Sequence, residues 1–420
     1  MQRVFSDKLY SNASYLMLTT IVTSGLGFFF WAIVARFYTV EDVGLATTII
    51  SSMMLIATLS VLGFDIGLIR FLPQADLEKS KRMINSCLSI SGILSISLVV
   101  IFLLGLDFLS PKLLFIRESA SFISLFALFT FIWSLSMLVD GIFISQRIAK
   151  YVFARSAIFS ILKLSVPILV VTLGSFGIFF SWGISALVAF LIAIFYLLPK
   201  IILGYRPRFS VNKKIIDHMI HFSFGNYVAN LLGNLPLLVL PLMITNFLFP
   251  NITAYFYISW MISNLLFMIP IAISYSLLAE VSNDEGKFEE NLRKAIKFAY
   301  LLVIPGIILL FILGDKLLLL FGEEYAENAF SALRIFAISG VFYTVNVIYI
   351  TIKNIQKRVG TVITVNALIA FFTLSLSYLL LDRIGLEGIA IAWLLSQISV
   401  IVMIFWNISL RKYMKQDSSN

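Results

Sequence analysis

The chain has 420 residues, of which 60% are hydrophobic and 13% charged, where a soluble domain carries about 25% charged residues. That is too little polar surface to cover a water-soluble body of this size, so an all-α, polytopic membrane protein is expected. The net charge of +9 is scattered over short segments between apolar runs. This excludes a nucleic-acid-binding face and makes the basic excess a signal of membrane orientation.

Twelve segments are long enough to cross a hydrocarbon core of about 30 Å. They run over residues 13–36, 43–68, 84–106, 119–144, 152–173, 176–198, 222–248, 252–279, 296–314, 329–352, 360–381 and 386–408. The first follows Arg3 and Lys8, exceeds the length of a signal-peptide core and lacks a small-residue cleavage pattern, so a retained helix is expected. Of the 31 Lys and Arg residues, 24 fall at the termini and in the connections after spans 2, 4, 6, 8 and 10. Only Arg36, Lys112, Arg117, Lys316, Arg334 and Arg383 fall on the other side, and Lys163 lies inside span 5. Both termini are therefore expected in the cytoplasm, with the chain in the cell membrane. One cysteine, Cys87, cannot form an internal disulfide, and His218 and His221, read as loop residues, have no metal-ligand cluster beside them.

The chain repeats itself. A shift of 211 residues places Gly174-x-x-Gly177-Ile178-x-x-x-Trp182-x-x-Ser185 on Gly385-x-x-Gly388-Ile389-x-x-x-Trp393-x-x-Ser396, and Arg147 on Arg358; a shift of 210 pairs Arg36-Phe-Tyr with Asn246-Phe-Leu. Glycine-rich turns between membrane helices can look alike, but this offset is half the chain and preserves order. The expectation is two six-helix lobes, 1–210 and 211–420, in a parallel 6+6 repeat around a central cavity.

An ionisable group at the bilayer centre costs at least ~2.5–3.5 kcal/mol on insertion scales, so each needs a reason. Asp65, Arg70, Asp140 and Glu280 lie near span ends, where anchoring or local pairing explains them; Asp65, Arg70 and Asp140, with Arg36, are assigned gating or structural roles. Lys163 lies near the middle of span 5, on one face with Ser156, Ser160 and Pro167. It either pairs with a helix carbonyl or carboxylate, or faces a wet cavity, where a compact ammonium suits a phosphate oxygen. Span 7 carries Asn226, Asn230 and Asn234 on one stripe; span 8 carries Tyr257, Trp260 and Asn264; span 10 carries Tyr343 and Asn346. These amides and rings either pack between helices or line a cavity where sugar hydroxyls take their place. Lys163, Ser160, Asn226, Asn230, Asn234, Tyr257, Asn264 and Asn346 form the candidate substrate-binding set. Prolines 167, 236, 241, 270 and 305 and the Gly25/Gly27 pair permit bent helices. No Walker loop, nucleophile elbow or metal cluster is written in the chain. A transporter, not an enzyme, is expected, with no cofactor and with coupling to Na⁺, H⁺ or the membrane potential left open.

The stretch Phe30-Trp-Ala-Ile-Val-Ala-Arg36-Phe-Tyr-Thr-Val-Glu41-Asp42-Val-Gly44-Leu-Ala, followed by Gly63-Phe-Asp65-Ile-Gly67-Leu-Ile-Arg70-Phe-Leu-Pro73, resembles the opening helices of polysaccharide-biosynthesis membrane proteins. These are the Wzx-type lipid-linked oligosaccharide flippases of the multidrug/oligosaccharidyl-lipid/polysaccharide exporter superfamily. The resemblance is clearest over residues 12–75 and extends weakly through the twelve-helix layout. It implies two bundles around a cationic cavity, alternating access, and movement of a polyprenyl-(pyro)phosphate oligosaccharide. Membrane lipids and polysaccharide-assembly proteins are the further partners, and the chain is expected to be a monomer. A cation-coupled multidrug exporter of the same superfamily is the nearest alternative, but its chemistry needs deep carboxylates where this chain has a lysine. A major facilitator would carry a Gly-x-x-x-Asp-Arg-x-Gly-Arg signature after span 2, which is absent from Arg70–Arg82. A membrane-embedded polysaccharide polymerase or lipid-linked glycosyltransferase would need a long outward loop.

Overall fold

The computed structural model describes residues 8–283 and 285–417, and all regular structure among them is helical. In chain order the helices are α1 (Lys8–Phe37), α2 (Val40–Val61), α3 (Phe64–Phe71), α4 (Leu77–Leu104), the single turn α5 (Leu106–Leu109), α6 (Ala120–Ser145), α7 (Ala149–Leu169), α8 (Gly174–Ile192), α9 (Lys213–Phe247), α10 (Pro250–Asn283), α11 (Phe288–Leu319), α12 (Glu323–Ile355) and α13 (Val359–Asp417). Among the described residues eleven continuous stretches are long and apolar enough to cross a membrane. The last of them, in α13, has non-helical backbone at Ile384 (φ −135°, ψ 16°) and Gly385 (φ 58°, ψ −133°). Divided there, it supplies two spans, and the expected twelve are present.

Three local readings need correction. Span 2, read as one run over 43–68, breaks at Leu62 and Gly63, both with left-handed φ (50° and 77°), into α2 and α3. Gly63 is required on two counts, since a Cβ there would also lie 2.7 Å from Tyr227 Cβ. His218 and His221 are helical residues, because α9 begins at Lys213, where the Asn212 side chain caps it by accepting from Ile215 N at 3.2 Å. His218 stacks on Phe71, ring centroids 4.6 Å apart.

The third correction concerns the register of the repeat. In the turn after α6, Gln146 N, Arg147 N and Ile148 N donate to the carbonyls of Ile142, Ile144 and Phe143; after α12, Gln356 N, Lys357 N and Arg358 N donate to those of Ile352, Asn354 and Lys353. Arg147 and Lys357 share the same φ of 55°. The backbone therefore pairs Arg147 with Lys357, an offset of 210, and not with Arg358. The ends of α1 and α9, Phe37 and Phe247, keep that offset, whereas Gly174 (φ 56°) and Gly385 (φ 58°) are 211 apart. One residue is inserted between these two turns in the second half.

The chain divides into two compact units: Met1–Leu231 with Leu237–Thr253, and Leu232–Pro236 with Ala254–Asn420. In the first, α2 is the most enclosed helix and packs on α4, α6 and α8. Its hydroxyls return to backbone, as helices without water require: Thr47 and Thr48 donate to the carbonyls of Val43 and Gly44, and Thr48 Oγ1 also lies 2.6 Å from Thr245 Oγ1, itself 2.7 Å from Thr253 Oγ1. Gly44 lets the backbone of Pro250 approach, because a Cβ would lie 1.7 Å from its carbonyl oxygen. In the second unit α12 packs against α11 and α13.

Candidate functional site

The deep lysine is enclosed by its own unit. α7 runs beside α1 and α8, and this brings Phe30 (α1), Phe159 (α7) and Trp182 (α8) around Lys163, which is 3% exposed. Its Nζ lies 4.7 Å from the Phe30 ring centroid, 4.9 Å from Phe159 and 4.2 Å from Trp182. Trp31 and Trp133 complete the cluster, at 6.4 Å and 5.9 Å from Trp182. The two pairings foreseen for Lys163, a carbonyl or a carboxylate, are not what it makes: its contacts in the structure are aromatic faces. Burying an ammonium costs several kcal/mol, and a desolvated cation–π contact returns about 2 kcal/mol, so three rings offset most of that cost without an anion.

Two further donors in this cluster have no acceptor, Ser160 Oγ, one helical turn from Lys163, and Trp182 Nε1. With the ammonium they make three buried donor groups, of which the Ser160 hydroxyl alone can also accept, an arrangement that favours a negatively charged or acceptor-rich visitor.

The surroundings are held firmly. Arg155 (α7) forms a bidentate pair with Asp140 (α6), Nε donating to Oδ1 at 2.6 Å and Nη2 to Oδ2. At the other end of α7, the Tyr38 hydroxyl donates to the Pro167 carbonyl at 2.7 Å. Asp42 joins the start of α2 to the start of α8: its Oδ1 accepts from Ser175 N at 2.8 Å and its Oδ2 from the Thr39 hydroxyl at 2.7 Å. Gly174 turns beneath it, where a Cβ would sit 2.7 Å from Asp42 Oδ1.

The other predicted residues are placed as follows. In the first unit Asn226 is half-buried and Asn230 exposed on α9; Asp65 is half-buried on α3; Arg36 and Arg70 are exposed, Arg70 lying 6.0 Å from the Phe222 ring. In the second unit Asn234 and Asn264 are exposed and Tyr257 is half-buried. Asn346 is buried there, its amide donating to Gln397 Oε1 at 2.7 Å and to the Gln397 carbonyl at 3.1 Å. Of the candidate set the structure brings together Lys163 and Ser160. The rings around them were missed as partners, although Trp182 stood in the repeated motif that revealed the duplication.

The profile of the family described as "Polysaccharide biosynthesis protein" matches residues 9–282, and that described as "Lipid II flippase MurJ" matches residues 195–419. The chain is 29% identical to a putative O-antigen transporter of Shigella flexneri over 33% of its length and 34% of the relative's. It is 27% identical to a probable lipid II flippase MurJ of Thermotoga maritima over 51% and 46%. It thus spans about a third and about half of these two relatives. The capsular polysaccharide biosynthesis protein CapF of Staphylococcus aureus is matched nearly end to end, 95% of this chain and 98% of that one at 23% identity. Among solved structures, the inward closed conformation of the lipid II flippase MurJ (TM-score 0.76, 16% identity, covering 94% and 87%) shares the fold. So does the inward-facing conformation of a multidrug resistance MATE family transporter of the MOP superfamily (TM-score 0.75, 17% identity, covering 96% and 99%).

Proposed function

Because the chain belongs to the polysaccharide biosynthesis protein family, the Wzx-type flippases of the multidrug/oligosaccharidyl-lipid/polysaccharide exporter superfamily, we propose that it moves a polyprenyl-(pyro)phosphate-linked oligosaccharide across the cell membrane by alternating access. It acts as a transporter, with both termini in the cytoplasm and the halves 1–210 and 211–420 as its lobes. The relatives named for O-antigen units and lipid II support a phosphate-linked glycan as cargo. Transport draws on Na⁺, H⁺ or the membrane potential.

The observation that carries this reading is the sign of the deep charge. Lys163 is a buried cation without an anionic partner among the described residues, next to two unused donors, whereas the carboxylate at Asp140 is already held by Arg155. A cation exporter needs the reverse. In the proposed cycle the cargo phosphate draws the ammonium from its aromatic faces, exchanging cation–π contacts for a charge-assisted hydrogen bond. The asparagines on α9 and α10 meet the glycan.

Flipping of a fluorescent polyprenyl-pyrophosphate oligosaccharide in proteoliposomes tests the proposal. Lys163→Ala is expected to slow transport at least about tenfold, the loss of one charge-assisted contact, and Lys163→Arg to retain part of it. Undiminished flipping by the Ala variant would remove Lys163, and the argument for an anionic cargo, from the mechanism.

A further inference from the structure

The second unit carries a basic cleft that the transport reading does not use. It encloses about 510 Å³ between the end of α12 and both arms of α13. Lys353, Arg358, Thr361 and Thr364 form its polar end, and Leu368 and Val400 lie on its apolar wall. Lys353 Nζ rests 4.9 Å from the Tyr349 ring and donates to Gln356 Oε1 at 3.1 Å. From Arg358 to Leu368 the cleft follows the helix for about 15 Å, close to the depth of one hydrocarbon leaflet.

The internal repeat builds the same turn without these two charges. The turn after α6 has the same backbone hydrogen bonds and the same positive φ as the turn after α12. At the positions equivalent to Lys353, Arg358, Thr361 and Thr364 it has Phe143, Ile148, Tyr151 and Ala154. One backbone is thus built with Phe, Ile, Tyr and Ala at these positions in one unit and with two cations and two threonines in the other.

We propose that this cleft is a binding site for one anionic phospholipid of the surrounding bilayer, its phosphate held by Lys353 and Arg358, a glycerol oxygen by Thr361, and its acyl chain along Leu368 and Val400. Two cations above an apolar wall are complementary to a headgroup with attached chains. The volume accommodates a phosphate, a glycerol and the first methylenes of the chains, and is too small for an oligosaccharide as well.

The test uses the full chain in nanodiscs of phosphatidylcholine with increasing phosphatidylglycerol, retained lipid being counted by native mass spectrometry. One phosphatidylglycerol per chain is expected, with binding about thirtyfold weaker in Lys353→Gln/Arg358→Gln, the combined contribution of two basic groups at an anionic lipid surface. Leu368→Trp, which fills the apolar wall and leaves the charges, is expected to weaken binding as well. Arg293→Gln/Lys297→Gln, which removes two charges from α11, is expected to leave it unchanged. Equal loss in the α11 variant, undiminished binding in Leu368→Trp, or equal competition by glycerol phosphate without acyl chains would each overturn the proposal. Displacement of phosphatidylglycerol by an equimolar amount of polyprenyl phosphate would overturn the choice of a bilayer lipid.

Discussion

The two units place a tryptophan at the same point of the repeat and surround it differently. In the first, Trp182 receives the Lys163 ammonium on its face, with Phe30, Trp133 and Phe159 around it. In the second, Trp393 meets Trp260 at 4.7 Å, Tyr343 at 6.2 Å and Phe267 at 6.3 Å, and among the described residues no Lys or Arg lies over it. Counted from the shared turn, Lys163 corresponds to Thr373, which donates to Ser396 Oγ at 2.8 Å. The same comparison holds nearby: the Asp140–Arg155 pair corresponds to Ile350 and Val365, and Asp42, which clasps Gly174, corresponds in the repeat to Ile252, itself a residue of the first unit, while a Cβ on Gly385 would meet nothing within 4 Å. The fold is satisfied by apolar and hydroxyl residues at these places. At these places the first unit carries the charged residues, and the turn after α12 shows the reverse, with Lys353 and Arg358 where the first unit has Phe143 and Ile148.

The largest effect expected follows from the tryptophans. Trp182→Ala and Trp393→Ala each leave a cavity costing about 3–5 kcal/mol, but only the first also strips the best face from a buried cation. Thermal unfolding in detergent should show Trp182→Ala as the worse by about 2 kcal/mol. In a Lys163→Met background that excess should vanish, since the charge is gone and the methionine fills a similar volume. Equal losses in both backgrounds would mean that the rings hold Lys163 only by its methylenes.

Next comes the ion pair. Asp140→Asn leaves Arg155, 9% exposed, without its carboxylate, and should cost about 2–3 kcal/mol, toward the lower end for a pair that keeps some solvent contact. Writing the second unit's residues into the first, Asp140→Ile with Arg155→Val, should restore most of that stability. Failure of the double variant to recover would show that the pair is built into the α6–α7 packing rather than added to it. The smaller counterpart in the second unit is Thr373→Ala, which should cost about 1 kcal/mol by removing its hydrogen bond to Ser396.

Much of this was legible in the chain. Composition and span length led to the twelve spans, including the division of α13, because Gly385 sits between two apolar runs with charges at Asp382 and Arg383. Lys163 stood out because a lysine in mid-span has no ordinary explanation. Its partners did not, because Phe30 and Trp182 are brought to it only by packing of helices far apart in sequence. The break at Leu62–Gly63 was hidden in a continuous apolar run, since hydropathy does not register a change of φ. The one-residue register error at Arg147 arose where Lys357 and Arg358 are adjacent basic residues, and only the hydrogen bonds distinguish them.

The smallest effect tests how the two repeat-related helices α1 and α9 bend. α9 has Pro236 and Pro241, which open its hydrogen-bond ladder, whereas its counterpart α1 has Gly25 and Gly27, around which a Cβ would meet nothing within 4 Å. These glycines therefore serve no close approach, and their effect is on the stiffness of α1. Gly25→Ala should raise stability by about 0.5–1 kcal/mol, the difference in helix propensity, because the added methyl fits. If α1 must flex for the Lys163 cluster to open, the same variant should flip the polyprenyl-linked cargo more slowly while unfolding at a higher temperature. A variant that is stabilised and transports at the wild-type rate would place the flexing elsewhere than α1.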